Sequence, residues 1–246
     1  MQLQTGIVYG PLASRRLGRS LGINLAPAGR KTCNYNCAYC QYGWTDFPAR
    51  EDFPRPCDVL DEVDRTLSQH PDIESITVAG NGEPTLHPGF APIADGLFAL
   101  RNRHVPKAKL TLLSNGSTLN RMDVLYSLAR FDVRCMKLDA GDATTFRLMN
   151  AASISLGRLL ADLRSVGHLT LQSMFVRDAE GVVDNTTPRA VHAWLEAVDK
   201  VRPMAVDVYG LARTPARSSL QRVPVDVLNG IAARVTALGI PARVFA

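Results

Sequence analysis

Short apolar runs alternate along the chain with longer stretches in which apolar residues recur every three or four positions. The short runs, rich in β-branched residues, predict buried strands at residues 75–79, 109–113, 133–138, 168–176 and 205–209, with a last extended piece at 241–245. The longer stretches predict helices at residues 90–102, 122–129, 143–149, 156–166, 188–201 and 225–238. From residue 74 onward the pattern therefore indicates a succession of strand–helix units.

Strand–helix alternation of this kind predicts a parallel sheet with right-handed crossovers. A further strand near residues 20–25 brings the number of βα units to about six, fewer than the eight of a closed barrel. We therefore expect an α/β fold, a partial (open) parallel βα barrel. The sequence has no internal repeat, low-complexity tract or long linker, so a single domain over residues 1–246 is expected.

The composition fits a folded protein with no membrane segment. The 246 residues are 46% hydrophobic and 21% charged, which supplies a packed core and argues against disorder. No apolar run approaches the roughly 20 residues needed to cross a bilayer. The first residues lack the basic and apolar segments of a secretory signal. We expect a cytoplasmic protein with no membrane partner.

The net charge of +5 arises within the first fifty residues. That stretch holds six cations against one acid, Asp46, whereas the rest of the chain is balanced. The cations are Arg15, Arg16, Arg19, Arg30, Lys31 and Arg50. They indicate either a patch that attracts an anionic partner, including nucleic acid, or an ordinary solvated basic surface.

Three of the five cysteines, Cys33, Cys37 and Cys40, lie within eight residues of each other, which in a cytosolic protein usually indicates a metal site. A four-iron cluster normally takes four thiolates, so three would leave one iron open to another ligand. The alternative is structural zinc, which normally needs four protein ligands. No histidine lies close by, and Cys57 lacks the paired spacing of a zinc knuckle. Cys135 lies in an apolar strand and is expected to be a buried, inert thiol.

The segment Cys33-Asn-Tyr-Asn-Cys37-Ala-Tyr-Cys40, with an aromatic residue before its last cysteine, resembles the cluster motif of the radical S-adenosylmethionine (SAM) superfamily. Downstream, Gly80-Asn-Gly-Glu-Pro84 resembles the Gly-Glu-Pro element that follows the second strand in that superfamily. Residues 9–24 are similar to a stand-alone branch grouped loosely with wyosine-forming tRNA enzymes. The resemblance implies an enzyme that cleaves SAM reductively to a 5′-deoxyadenosyl radical.

The resemblance also implies two cofactors, a 4Fe-4S cluster on the three motif cysteines and SAM on its open iron. It implies a set of residues in contact with SAM. These are Tyr39 near the adenine, Gly82, Glu83 and Pro84 at the methionyl amine, and Ser114, Asn115, Lys137 and Asp139 at the ribose or carboxylate. Gln172 and Asn24 are weaker candidates. Each of the set has a structural alternative, such as loop packing by Tyr39 or an ion pair between Lys137 and Asp139.

The partners and substrate are less defined. Because no flavodoxin-like domain is fused to the motif, we expect an external one-electron donor of the flavodoxin or ferredoxin type. With only Cys57 and Cys135 spare, a second cluster is not expected. Three hypotheses compete: a radical enzyme acting on nucleic acid or another anionic substrate, an activating protein for a glycyl-radical enzyme, and a non-catalytic metal-binding protein.

Overall fold

The computed structural model of the protein describes residues 2–45 and 52–246. The strands in those residues are β1 (Val8–Ser14), β2 (Gly18–Asn24), β3 (Ser75–Ala79), β4 (Lys109–Ser114), β5 (Val133–Lys137), β6 (Thr170–Met174), β7 (Arg177–Asp178), β8 (Ala205–Tyr209), β9 (Leu220–Gln221) and β10 (Ala242–Phe245). The α-helices are α1 (Pro56–Gln69), α2 (Phe90–His104), α3 (Met122–Ser127), α4 (Ala143–Asn150), α5 (Leu156–Val166), α6 (Pro188–Val201) and α7 (Val225–Ala237). Single 3₁₀ turns lie at Pro84–Leu86 and Leu128–Arg130.

Eight strands form the main sheet, in the order β1-β2-β3-β4-β5-β6-β8-β10. Every neighbouring pair is parallel except β1 and β2, which form an antiparallel hairpin. Helices follow β2, β3, β4, β5, β6 and β8, which makes six βα units. In the described part of the chain, β1 and β10 are the two edges of the sheet. The predicted partial, open parallel βα barrel is therefore confirmed.

Side chains alternate between the two faces of each strand, as strands require. Met136, Leu171 and Val206 are fully buried on the outer face, where the helices pack. On α6, Trp194 is also buried, and its indole N–H donates to the carbonyl of Leu138 at 3.0 Å. The opposite, inner face of the same strands carries polar residues. This division leaves the inner face free for chemistry.

The hydrophobic pattern predicted neither α1 nor the strands β1, β7 and β9, and it misplaced some boundaries. It assigned nothing to residues 56–69, where α1 buries Val59, Val63 and Leu67 at a spacing of four behind an initial proline. It also missed the edge strand β1. The strand predicted at 168–176 covers only Thr170–Met174. Its predicted first residue is excluded because His168 has a positive φ angle that a strand does not allow. No helix in residues 2–45 and 52–246 is long and apolar enough to cross a membrane.

Candidate functional site

The loop that carries the three clustered cysteines follows β2 at the carboxyl end of the sheet. Its backbone is pinned by the end of α4, since the N–H groups of Asn36 and Ala38 donate to the carbonyls of Asn150 and Met149 at 2.8 and 2.9 Å. The loop after β3 holds its other end. The two hydrogen bonds to α4 fix the path of the cysteine loop, although the loop and the end of α4 are more than a hundred residues apart in sequence.

The sulfurs of Cys33 and Cys37 accept hydrogen bonds from amide groups. Cys37 is buried, whereas Cys33 and Cys40 are partly exposed. The Asn150 side-chain amide donates to Cys37 Sγ at 3.4 Å, and the N–H of Tyr35 donates to Cys33 Sγ at 3.4 Å. Burial raises the pKa of Cys33 to about 12 and also raises the pKa of Cys37. The thiolate form therefore needs a cation at this loop, and the amide donors would support it.

The cysteine loop offers three thiol groups as ligands for a metal centre. Structural zinc draws its ligands to about 2.3 Å from one centre. An iron–sulfur cluster instead takes its thiolates on different irons. Three cysteines and no histidine on the loop fit a cluster with one open iron, whereas structural zinc normally needs four protein ligands.

Gly82 brings the loop after β3 against the cysteine loop. Its φ of +152° lies in the region that favours glycine, and a Cβ at this position would overlap the carbonyl oxygen of Thr32. Gly82 and Thr32 form a parallel bridge, and the N–H of Glu83 donates to the Thr32 carbonyl at 2.9 Å. The two loops can approach this closely only because glycine has no side chain, which explains why a glycine precedes Glu83. The approach places the Gly-Glu-Pro element beside Cys33.

Glu83 is a buried acceptor for the end of β4. Its Oε1 accepts hydrogen bonds from the Thr85 N–H and hydroxyl at 3.1 and 2.6 Å and from the Ser114 hydroxyl at 2.8 Å. Its Oε2 accepts the N–H of Asn115 at 2.6 Å. Burial raises the pKa of Glu83, and these hydrogen bonds oppose the rise. Glu83 thus positions Ser114 and Asn115, while its contact with a cofactor amine stays a prediction. Pro84 begins the 3₁₀ turn that follows.

We expect Glu83→Gln to destabilise the protein by about 1–3 kcal/mol, because the new amide group would face a donor and could not accept from it. The thermal midpoint should fall by about 2–4 °C per kcal/mol. Glu196→Gln, at an exposed position on α6, is the matched control and should leave the midpoint within about 1 °C of the parent. Equal midpoints for the two variants in thermal unfolding would show that Glu83 does not hold the loop.

Tyr39, Lys137 and Asp139 form one buried polar group. The Tyr39 hydroxyl donates a short hydrogen bond to Asp139 and accepts from Lys137 Nζ at 2.7 Å. Lys137 Nζ also lies 4.9 Å from the centre of the Tyr39 ring and 3.9 Å from the Asp139 carboxylate. Asp139 is completely buried and accepts further bonds from the Asn150 amide at 2.6 Å and the Met174 N–H at 2.8 Å. The structure therefore shows Asp139 as a positioning group, and its contact with SAM stays a prediction.

Lys137 keeps its charge in this group. Burial alone would lower its pKa, but the Asp139 carboxylate and the Cys37 sulfur more than offset that effect, and the pKa of Lys137 is raised. Because its side chain is about a quarter exposed, the ammonium can still meet a ligand. Of the residues predicted to contact the ribose or carboxylate of SAM, Lys137 has the clearest access and charge.

Two asparagines in the site escaped the sequence analysis. Asn150 joins Cys37 to Asp139, and Asn34 accepts from the Asn115 side-chain amide at 3.0 Å. The same amide lies 3.8 Å from Cys33 Sγ. Asn150 reaches Cys37 across 113 residues of sequence, so no local pattern could reveal it.

The two weaker candidates have different positions. Asn24 is buried, and its side chain bonds the backbone of Gly6, Ala26 and Asn81, which is a structural role. Gln172 faces the inside of the barrel on β6, beside Lys137 in the parallel register. Only Gln172 therefore adjoins the group around Tyr39.

The cations of the first fifty residues do not all contribute to one free basic surface. Lys31 is buried, and its Nζ donates to the carbonyl of Gly43 at 2.6 Å. Arg19 forms an ion pair with Asp72 at 2.7 Å. Arg50 and the single acid of that stretch lie outside the described residues. The sequence-level charge excess is thus a poor guide to where an anion would bind.

Comparison with known proteins decides the family. Residues 31–161, just over half of the chain, match the model of the Radical SAM superfamily. A UPF0026 protein of Synechocystis sp. is 32% identical over 212 residues, which are 82% of this chain and 74% of that protein. The chain belongs to the radical SAM superfamily and to the UPF0026 proteins. Members of this superfamily are generally enzymes, and the matched region includes the whole cysteine loop.

Other relatives of this radical SAM protein are longer than the chain. A protein of Brachyspira hyodysenteriae named GTPase Obg is 28% identical over 221 residues, which are 86% of this chain and 31% of that protein. A UPF0026 protein of Helicobacter pylori is 30% identical over 73% of this chain and 59% of its own length. The chain therefore spans about a third of the Brachyspira protein and somewhat more than half of the Helicobacter protein, and both contain further segments.

Solved structures share the fold of this radical SAM protein at low sequence identity. A radical SAM methyltransferase from Sphaerobacter thermophilus superposes with a TM-score of 0.68 at 17% identity, covering 92% of this chain and 65% of its own. TYW1 with a lysine-pyruvate adduct bound gives 0.62 at 13%, covering 90% and 75%. The anSMEcpe structure with bound AdoMet gives 0.63 at 15%, covering 91% and 63%. The barrel is thus the radical SAM fold.

Proposed function

We propose that this protein is a radical SAM enzyme in which Cys33, Cys37 and Cys40 hold a 4Fe-4S cluster. When bound, such a cluster would supply the electron that splits SAM into methionine and a 5′-deoxyadenosyl radical. The observation that carries the proposal is the cysteine loop itself. It presents three cysteines at the carboxyl ends of parallel strands, where barrel enzymes place their chemistry, and two of the sulfurs accept from amide groups.

The chain's own residues would bind and orient SAM. Lys137 offers a charged donor to the ribose or carboxylate, and Tyr39 stands beside it with its hydroxyl fixed by Asp139. Glu83 holds Ser114 and Asn115 at the end of β4, and Asn115 turns its side-chain amide towards Cys33. Pre-organised polar groups of this kind raise the affinity for a charged cofactor because they need no rearrangement on binding.

The substrate, electron donor and compartment belong to the same proposal. We place the protein in the cytoplasm, where a flavodoxin or ferredoxin would reduce the cluster. We also propose that the substrate is anionic. The support comes from Arg16 and Arg243, two cations that share the single Asp207 carboxylate inside the barrel, rather than from the overall charge.

Anaerobic reconstitution with iron and sulfide tests the proposal. We expect a brown protein with about four irons per chain that forms 5′-deoxyadenosine when given SAM and dithionite, measured by chromatography and mass spectrometry. A colourless protein that holds one zinc per chain and leaves SAM intact would instead identify the non-catalytic metal-binding alternative.

A further inference from the structure

A row of four polar side chains crosses the inner face of the barrel. In the parallel register Lys137 pairs with Gln172, Gln172 with Asp207, and Asp207 with Arg243, so the row runs across β5, β6, β8 and β10. Residues paired in this way lie on the same face of a sheet. We call these four residues the interior row.

The interior row connects the candidate cofactor site with the open edge of the barrel. At one end Lys137 Nζ contacts the Tyr39 hydroxyl at 2.7 Å. At the other end Arg243 lies on the edge strand β10, and its side chain is 58% exposed. Between them Asp207 is almost completely buried. The row therefore links the open edge of the barrel to Lys137 through polar side chains.

The charges of the interior row are balanced in pairs. Arg243 donates from Nε and Nη2 to Asp207 Oδ1 at 2.9 and 2.8 Å. Lys137 lies 3.9 Å from Asp139. Each pair is neutral, so the row itself has no excess charge to attract an anion.

Arg16 is a second cation beside the Asp207 carboxylate, so Arg16, Arg243 and Asp207 together carry a net charge of +1 on this face. It comes from the turn between β1 and β2, and its side chain is only 17% exposed. Its guanidinium lies 5.0 Å from the centre of the Tyr209 ring and 6.0 Å from that of Phe245. The nearest carboxylate, Asp207, is 3.8 Å from Nη1, which is too long for a hydrogen bond.

Two buried donors at this place lack a strong acceptor. Among the described residues, Arg16 Nη1 and Gln172 Nε2 are both inaccessible to solvent and donate no hydrogen bond to an oxygen or nitrogen acceptor. The Gln172 amide adjoins only the Cys135 sulfur, which is a weak acceptor. Gln172 is the register neighbour of Asp207, to which Arg16 is nearest, so the two donors belong to one region. Buried donors are nearly always satisfied in native proteins. An arginine that only fastened the hairpin to β8 would be expected to satisfy its Nη1.

We propose that Arg16 and Gln172 bind a carboxylate group of the substrate on the inner face of the barrel, between the open edge and Lys137. The inference rests on the proposed function, because it identifies the substrate of that same site as a small carboxylate. One carboxylate neutralises the net charge of +1 that Arg16, Arg243 and Asp207 carry together, and it accepts from both buried donors. A guanidinium fork suits a planar carboxylate, and the net charge of one favours a monoanion over a phosphate dianion.

Anion binding to the reconstituted full chain in the presence of SAM tests this proposal. Thermal unfolding would be followed while sodium acetate or inorganic phosphate replaces sodium chloride at constant ionic strength. We expect a saturable rise of the midpoint with acetate, with a dissociation constant at least about tenfold weaker in Arg16→Gln. Arg19→Gln is the matched control, since Arg19 lies on the surface in an ion pair, and should bind acetate as the parent does.

The outcomes separate this proposal from the proposed function. Three results would each overturn the carboxylate site. They are equal acetate binding by the parent and Arg16→Gln, a thermal midpoint that is the same in acetate as in chloride, and tighter binding of phosphate than of acetate. If Arg16→Gln does not fold, Gln172→Leu and Arg16→Lys carry the same comparison. A parent protein that cleaves SAM but shows no Arg16-dependent acetate binding refutes the carboxylate site alone. One that binds acetate through Arg16 but never cleaves SAM refutes the proposed function.

Discussion

Cys37→Ala should abolish formation of 5′-deoxyadenosine from SAM under dithionite. Cys37 is the buried member of the three, and its sulfur receives the Asn150 amide. Loss of a residue that only supports a metal ligand typically costs about 10–100-fold, so loss of the ligand itself should cost more than about 100-fold. Iron content after anaerobic reconstitution and the yield of 5′-deoxyadenosine per chain measure the effect.

The matched control for this change is Cys57→Ala. Cys57 is exposed at the start of α1, away from the loop, and its removal should leave the iron content and the yield unchanged. Far-ultraviolet circular dichroism should give the same spectrum for both variants, since neither side chain builds the sheet. Full iron content and turnover in Cys37→Ala would refute the ligand assignment.

The architecture was largely readable from sequence because strands and helices follow local hydrophobic patterns. The β-branched run at β3 and the four-residue spacing in α6 each predict their element without reference to the rest of the chain. The same reasoning would have found α1 from Val59, Val63 and Leu67. The edge strand β1 is harder, because a strand with one protected side buries little and carries a weak pattern.

The candidate site was readable only where its residues form motifs. The cysteine spacing and the Gly-Glu-Pro element are short and contiguous, so they identified the loop and the residues beside it. Asn150 and Arg16 carry no such pattern, because Cys37 and Asp207, which they approach, lie more than a hundred residues away in sequence. Sequence order also cannot show that Lys31 is buried or that Arg16 points inwards. The charge count alone therefore predicted a basic surface rather than cations inside the protein.

The polar groups of the site share one physical feature: they form hydrogen bonds with other protein groups rather than with water. Glu83 organises the end of β4, and Asp139 organises Tyr39 and Lys137. In a buried network every donor needs its acceptor, so each member depends on the rest. The two carboxylates should therefore be more sensitive to substitution than their distance from any reacting atom suggests, and Asp139, the more deeply buried, should be the more sensitive of the two.

Asp139→Asn should destabilise the protein by about 3 kcal/mol, which corresponds to a fall of about 6–12 °C in the thermal midpoint. The Asp139 carboxylate accepts from Tyr39, Asn150 and the Met174 N–H, using both oxygens. An asparagine has one acceptor oxygen, so its amide must face at least one of these donors. Lys137 would also lose the carboxylate that balances its charge. Thermal and urea unfolding measure the loss, and weaker SAM binding should accompany it.

Asp142→Asn is the matched control, since it makes the same chemical change three residues further along. Asp142 caps α4 by accepting the Thr145 N–H at 2.9 Å, and asparagine caps helices about as well as aspartate. Its effect should stay within about 1 kcal/mol. A double-mutant cycle of Asp139→Asn with Tyr39→Phe should show coupling of about 1 kcal/mol or more, because the two side chains share a hydrogen bond. Additive effects, or equal losses in the two aspartate variants, would show that the buried network does not fix Tyr39 and Lys137.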